Sequence, residues 1–220
     1  MSTRPDSIGL YLEIEPGAGS AQRLEAALGV APVHAVLIKP RAGAQIDRTI
    51  ARGLIERIQA SGAAALIEQD ADLAKELRAD GVHLPWSADV SGAYVGARQI
   101  LGNRFIVGAM AGGSRHDAMT LAEAGAEYIG FGLPPEIADP EAAVAERLAL
   151  VEWWAQIFEV PCVAFGVLTS AAAGECAKAG ADFLGVPLPA GDTQAAIADR
   201  IHTVLHAANT DATAISRGAR

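Results

Sequence analysis

The sequence lacks several features that would assign it to a common class of protein. Its 220 residues include only two cysteines, Cys162 and Cys176, and these do not make a disulfide framework or a metal-binding spacing. No apolar run reaches the ~20 residues that a membrane-spanning helix needs. The first seven residues are polar and do not form a secretory signal. We therefore expect a soluble cytoplasmic protein with no membrane partner, and we expect Cys162 to lie in the core.

Basic residues are also scarce. Lys and Arg number 17 against 26 Asp and Glu, which gives a net charge of −9 and a pI near 5.0. A nucleic-acid groove needs a basic stripe along one surface. The chain has only short basic spots such as "IKPRAG". We therefore expect no nucleic-acid partner, and an anionic ligand would have to be held by backbone N–H groups and one or two cations.

Eight short apolar runs recur along the chain, and most of them are separated by segments of helical periodicity. The runs span residues 8–14, 33–39, 63–69, 81–84, 104–110, 127–132, 161–167 and 182–187. Their nearly continuous apolar character is typical of parallel strands buried on both faces. Eight strand–helix units predict a single (β/α)8 barrel, or TIM barrel, over residues 1–220. A doubly wound open sheet is the alternative, but it usually has a glycine-rich phosphate-binding motif after the first strand. Here that segment contains Gly17 and Gly19 and lacks the third glycine.

The joints between helices and strands repeat one form. "LRADGVHL", "EAGAEYIGFG" and "KAGADFLGV" each contain a helix end, a small turn, an acidic residue and a strand. Gly125 and Gly180 fit the left-handed residue that closes a helix. The C-terminal residues 207–220 are polar, and we expect them to fray.

Ligands of such barrels bind at the carboxyl ends of the strands. Gly166 and Gly185 lie at the tips of the seventh and eighth strands, where glycine lets a phosphate approach, and Thr169 or Ser170 caps the next helix. The ordinary alternative is that these residues only form turns and a helix cap. Lys39 and Arg41 follow the second strand, and they either bind a pyrophosphate or are solvated loop charges.

Acidic residues follow the third and fourth strands. Glu68, Asp70 and Asp89 are candidate ligands of Mg²⁺, because carboxylates of neighbouring strands can hold this ion together with substrate phosphates. Acidic residues are common on surfaces, so the ordinary alternative is a solvated face. We expect His83 to be a hydrogen-bonded core residue. Trp86 either covers a ring-shaped ligand or plugs the mouth of the barrel.

Two long motifs carry a resemblance to a known family. "DLAKELRADGVHL" at 72–84 and "AEAGAEYIGFG" at 122–132 resemble motifs of thiamine phosphate synthases and their aminothiazole tautomerase relatives. The segment "VPCVAFGVLTSAAAGECAKAGADFLGV" is similar to a later family motif, and the resemblance extends over about residues 30–187. It implies a (β/α)8 barrel and a transferase of thiamine biosynthesis. Such a transferase joins a pyrimidine pyrophosphate to a thiazole phosphate with Mg²⁺ as cofactor.

The resemblance transfers some site residues and not others. Lys39 aligns with a family lysine, and Ser114 is the nearest match in the sequence to the family's serine after strand five. Gln69 stands at the position of the family's Mg²⁺-binding carboxylate. Leu133 stands where the tautomerases have a histidine, and Pro187 stands where the synthases have a hydroxyl. The loop "LPPEIADP" at 133–140 also lacks the threonines and the lysine of the synthases.

Residues and resemblance together predict a site for a phosphorylated small molecule, with no residue assigned as the catalyst. The predicted phosphate- and substrate-binding residues are Lys39, Arg41, Ser114, Gly132, Gly166 and Gly185, and the predicted metal ligands are Glu68, Asp70 and Asp89.

Three functions remain open at this point. The chain is a divergent thiamine phosphate synthase, a non-catalytic or repurposed barrel that binds a small molecule, or another barrel enzyme acting on a phosphorylated metabolite. If it is catalytically active, the resemblance implies a synthase-type transferase. The sequence leaves open whether copies of the chain form a homo-oligomer.

Overall fold

Eight parallel strands close into a barrel in a computed structural model that describes residues 8–133 and 138–218, with side chains as far as Thr210. The strands are β1 (Gly9–Ile14), β2 (Ala35–Ile38), β3 (Ala64–Glu68), β4 (Gly81–Leu84), β5 (Ile106–Met110), β6 (Ile129–Phe131), β7 (Cys162–Ala164) and β8 (Phe183–Leu188). Each strand pairs with the next in the sequence, and β8 pairs with β1. The predicted (β/α)8 barrel is therefore confirmed, and the open sheet is wrong.

One helix follows each strand. The helices are α1 (Ser20–Leu28), α2 (Arg48–Ala60), α3 (Ala71–Leu77), α4 (Val90–Leu101), α5 (Arg115–Glu123), α6 (Pro140–Ile157), α7 (Ser170–Ala179) and α8 (Gln194–Gly218). Within the described ranges, no helix is both long and apolar enough to cross a bilayer. The single-domain boundaries 1–220 and the fraying of residues 207–220 stay predictions; the described part of α8 is helical as far as Gly218.

The strands are buried on both faces, so the molecule has two apolar cores. The larger core lies between the strands and the surrounding helices. The smaller core fills the inside of the barrel and consists of Tyr11, Leu37, Leu66, Tyr128, Val163 and Phe165. This double burial is the physical reason for the nearly continuous apolar strands in the sequence.

Glycines inside the sheet make room for the aromatic rings of the inner core. A Cβ atom on Gly108 would lie 2.0 Å from the ring of Tyr128. A Cβ atom on Gly185 would lie 2.9 Å from the Cα atom of Phe165. The expectation that Gly185 lies at a strand end was wrong. Gly185 lies inside β8, where it pairs with Tyr11 of β1. The small size of Gly185 is needed for packing against Phe165.

The acidic residue of each repeated joint binds the backbone of the preceding strand. Asp80, just before β4, accepts a hydrogen bond from the N–H of Ala65 in β3 at 2.8 Å. Glu127, before β6, accepts one from β5 at 2.7 Å. Asp182, before β8, accepts one from the N–H of Cys162 in β7 at 2.8 Å. The repeated acid therefore links β3 to β4, β5 to β6 and β7 to β8 at the amino end of the barrel.

The predicted left-handed glycines of these joints are confirmed. Gly125 has φ 95° after α5, and Gly180 has φ 90° after α7. A residue with a Cβ atom rarely adopts this conformation, so glycine lets each helix end and the chain turn at once into the next strand.

We predict that Asp182→Ala lowers the free energy of unfolding by about 1–3 kcal/mol, because the buried N–H of Cys162 loses its side-chain acceptor. Urea unfolding measures this difference. The control Asp199→Ala, on the exposed face of α8, should change the free energy by less than about 0.5 kcal/mol. Equal unfolding midpoints for Asp182→Ala and the unmodified protein would show that the repeated acid does not stabilise the barrel.

Candidate active site at the barrel mouth

A cavity of ≈ 470 Å³ opens at the carboxyl end of the barrel. Each of the eight strands, or the residue just after it, contributes to the lining. The cavity volume lies within the range of about 300–1,000 Å³ that is usual for small-molecule sites. This cavity, which we call the mouth cavity, is therefore the candidate active site.

A partly buried ion pair forms one wall of the mouth cavity. The Nζ atom of Lys39 donates to Oε2 of Glu13 at 2.9 Å, and the side chain of Glu13 is only 8% exposed. Burial lowers the pKa of Lys39, but the charge and the hydrogen bond of Glu13 outweigh burial, so the net pKa is raised. Lys39 is therefore a permanent cation at this position.

A second carboxylate faces the same lysine. Glu68 at the end of β3 is half-buried and lines the mouth cavity. Burial raises the pKa of Glu68, and the positive charge of Lys39 opposes that rise without cancelling it. The charged groups that line the cavity in the described part of the chain are thus the ammonium of Lys39 and the carboxylates of Glu13 and Glu68.

A chain of hydrogen bonds runs from the mouth cavity into the inner core. Nδ1 of His83 lies 2.9 Å from Oη of Tyr128, which in turn lies 2.8 Å from Oη of Tyr11. Burial, with a smaller contribution from Lys39, lowers the pKa of His83 to about 3. The prediction of a hydrogen-bonded core histidine is confirmed. His83 is neutral at neutral pH, and its Nε2 atom has no partner among the described residues.

A smaller cavity of ≈ 220 Å³ lies beside the mouth cavity, and we call it the side cavity. Trp86, Met110, Gly132 and Leu133 line both cavities. Trp86 is 52% exposed, so it does not seal the mouth as a buried plug would. The side cavity ends at Arg147 of α6, which is 3% exposed.

Arg147 was missed by the sequence reasoning. Its signal is helical spacing, because the buried residues of α6 fall at positions 143, 147, 150, 151 and 154. An arginine on such an apolar face needs a partner inside the protein.

The predicted binding residues divide into two groups. Lys39, Gly132 and Gly166 line the mouth cavity. Arg41 is exposed and lies 3.7 Å from a carboxylate of the loop after β1. The hydroxyl of Ser114 accepts a hydrogen bond from its own helix as the N-cap of α5. The roles of these residues in binding stay predictions, and residues 134–137 of the loop that departs from the synthases lie outside the described part of the chain.

The three predicted metal ligands do not form one metal-binding group. Glu68 lines the mouth cavity, whereas Asp70 caps α3 by accepting from the N–H of Leu73 at 2.8 Å. Asp89 caps α4 in the same way. Across residues 8–133 and 138–218, no group of three or more His, Cys, Asp or Glu side chains could hold a metal. With Lys39 beside Glu68, these residues do not fit a resident Mg²⁺ ion.

The sequence matches a known protein family over most of its length. The sequence profile described as thiamine monophosphate synthase matches residues 13–187, which span the chain from β1 to β8. The chain belongs to the thiamine monophosphate synthase family. It is 39% identical to the thiamine-phosphate synthase of Erythrobacter litoralis over 205 residues, covering 88% of this chain and 92% of the relative. It is 38% identical to that of Hyphomonas neptunium over 142 residues, covering 64% and 63%.

Solved structures agree on the fold. A thiamine phosphate pyrophosphorylase from Pyrococcus furiosus superposes with a TM-score of 0.69 at 21% identity, covering 93% of this chain and 98% of that chain. A tryptophan synthase of Mycobacterium tuberculosis superposes equally well, with a TM-score of 0.69 at 13% identity and 93% of each chain. At these identities the structural likeness supports the barrel alone.

The low pKa of His83 predicts a pH dependence of stability. Unfolded histidine takes up a proton below about pH 6.5, whereas folded His83 does so only near pH 3. The unfolded state therefore binds more protons in this window, and stability falls as the pH drops through it. For His83 alone, the loss by about pH 5 is about 2 kcal/mol.

Urea unfolding at about pH 7.5 and about pH 5 tests this dependence. His83→Gln, which keeps a polar group near Tyr128, should lose about 2 kcal/mol less between these values than the unmodified protein. His116→Gln, at an exposed position of α5, is the matched control and should keep the original dependence. If His83→Gln also keeps it, His83 is not the buried neutral group.

Proposed function

We propose that this chain is a thiamine-phosphate synthase-type transferase that joins a pyrimidine pyrophosphate to a thiazole phosphate in the mouth cavity. The observation that carries the proposal is the family match over residues 13–187, together with the position of Lys39 in that cavity. Binding of phosphorylated substrates and a cytoplasmic location belong to the same proposal.

Lys39 acts on the leaving pyrophosphate. Departure of this group builds negative charge on its oxygens, and a fixed cation in the cavity stabilises that charge. The ion pair with Glu13 keeps Lys39 protonated and restricts its position. His83 is neutral and sits deeper in the cavity, so it adds no competing charge. We assign no step to Mg²⁺, since Asp70 and Asp89 cap helices.

The thiazole phosphate binds where β7 meets α7. Gly166 follows β7 with φ 76°, and a Cβ atom there would meet none of the described residues within 4 Å, so the backbone is open to a ligand. Thr169 caps α7, whose first N–H groups favour an anion. Trp86, half exposed at the cavity, offers a flat surface to a substrate ring.

A repurposed barrel that binds a ligand without condensing it is the second candidate. Gln69 favours this alternative, because it stands where the resemblance places a metal-binding carboxylate of the synthases. Pro187 favours it too, because it lines the mouth cavity without a hydroxyl or an N–H group. Both candidates use the same cavity, and they differ in turnover.

Purified protein assayed with both phosphorylated substrates, with and without Mg²⁺, separates the two candidates. We predict product above the uncatalysed background, and a loss of about 100-fold in kcat/KM for Lys39→Met, because the leaving group loses its cation. Lys75→Met, which removes a lysine on the exposed side of α3, is the control and should keep the activity.

Two results would contradict this proposal. Full activity of Lys39→Met would remove Lys39 from the chemistry. No product from the unmodified protein, together with a rise in Tm on addition of either substrate, would reject the transferase and leave the repurposed barrel.

A further inference from the structure

Arg147 is a buried charge within an apolar helix face. It lies on the same side of α6 as Leu150, Val151 and Trp154, and it is 3% exposed. Moving a charged group out of water is costly unless partners inside the protein compensate. The position of Arg147 therefore raises the question of which group compensates its charge.

The described residues satisfy only part of the guanidinium. Nη1 of Arg147 donates to the carbonyl oxygen of Phe165 at 3.0 Å. Its Nε atom is buried and has no hydrogen-bond partner in the described part of the chain. No carboxylate among the described side chains forms an ion pair with it. A guanidinium has five N–H donors and a full positive charge. Arg147 therefore retains unused donors, and its charge is not neutralised by the described residues.

Arg147 lines the side cavity, which is suited to one end of a ligand. At ≈ 220 Å³ the cavity is smaller than the range of about 300–1,000 Å³ that holds whole drug-sized ligands. Gly112 and Gly113 of the β5–α5 loop and Gly132 after β6 form its walls, so backbone can come close to a ligand there. The shared residues Trp86 and Leu133 connect it to the mouth cavity.

We propose that Arg147 binds an oxyanion group, a carboxylate or a phosphate, of a ligand whose ring occupies the mouth cavity. The planar fork of a guanidinium matches two oxygens of either group. The anion would neutralise the buried charge and use the free Nε–H. Glu146, the other charged residue of the lining, is exposed at the edge of the side cavity.

This anion position is separate from the one at β7 and α7. Gly166 lines the mouth cavity but not the side cavity, whereas Arg147 lines the side cavity alone. A ligand with two anionic ends could therefore occupy both positions. The inference does not rest on the synthase reaction, since a non-catalytic barrel would bind an oxyanion at Arg147 equally well.

NMR of the arginine Nε–H group tests the proposal directly. The buried Nε–H signal of Arg147 is identified by its loss in Arg147→Lys. Inorganic phosphate and acetate are then added separately, with chloride at equal ionic strength as the reference. We expect a saturable shift of this signal with phosphate, with acetate or with both, and the responding anion identifies the ligand group. No shift beyond the chloride reference with either anion would overturn the proposal.

Variants test the same site by affinity for the responding anion. Arg147→Met should weaken binding about tenfold or more, as expected for loss of hydrogen bonds to a charged group. Ala143→Met should also weaken it, because Ala143 lines the side cavity one turn before Arg147 and its larger replacement fills the space. Arg57→Met is the matched control, since it removes an exposed arginine of α2 paired with Glu25.

The variant results decide the matter even if Arg147→Met fails to fold. Weaker binding by Ala143→Met, with the Arg147 Nε–H signal still present and the affinity of Arg57→Met unchanged, supports the site. Unchanged affinity in Ala143→Met would overturn the proposal. An equal loss in Arg57→Met would also overturn it, because the effect would then reflect net charge.

Discussion

The parallel pairing of β1 with β8 joins the first strand to the last, from Gly9 opposite Phe183 to Ile14 opposite Leu188. This pairing closes the sheet around an interior that the side chains of the inner core occupy. The aromatic rings of Tyr11, Tyr128 and Phe165 occupy that interior. The rings of Tyr11 and Tyr128 also line a cavity of ≈ 220 Å³ at the amino end, whereas the ammonium of Lys39 lies in the mouth cavity at the carboxyl end.

The same closure concentrates charge at the mouth. Glu13 of β1 lies between its neighbours in β2 and β8, and it meets Lys39 across the β1–β2 pair. Burial disfavours every charge in this region, yet the ammonium stays charged because a carboxylate touches it. The imidazole of His83 has no such carboxylate partner among the described side chains, and burial keeps it neutral. The mouth is thus better suited to electrostatic stabilisation of a leaving group than to proton transfer by histidine.

The strands were predictable from sequence because each one is buried on both faces, which leaves a local mark of continuous apolar residues. The repeated joints were predictable for a similar reason, since Gly125 and Gly180 must adopt left-handed backbone. The partner of the repeated acid was not, because Asp182 accepts its hydrogen bond from Cys162, a strand residue 20 positions earlier. Local pattern cannot supply such a contact.

Site residues were harder to predict because one residue type serves several purposes. An aspartate after a strand is equally suited to a metal or to a helix N-terminus, and Asp70 and Asp89 cap helices. Gly185 matched a phosphate-binding pattern, but its small size serves Phe165, whose contact depends on the closed barrel. Arg147 became significant only when tertiary structure showed its burial beside a cavity.

The most direct test of the central claim, that the mouth cavity is the functional site, is a crystal structure of the protein with thiamine phosphate. We predict ligand density in the mouth cavity against Trp86, with its phosphate at the start of α7. Density in the cleft of ≈ 610 Å³ that Arg48, Asp72 and Ala97 help to line, with none in the mouth cavity, would contradict the claim.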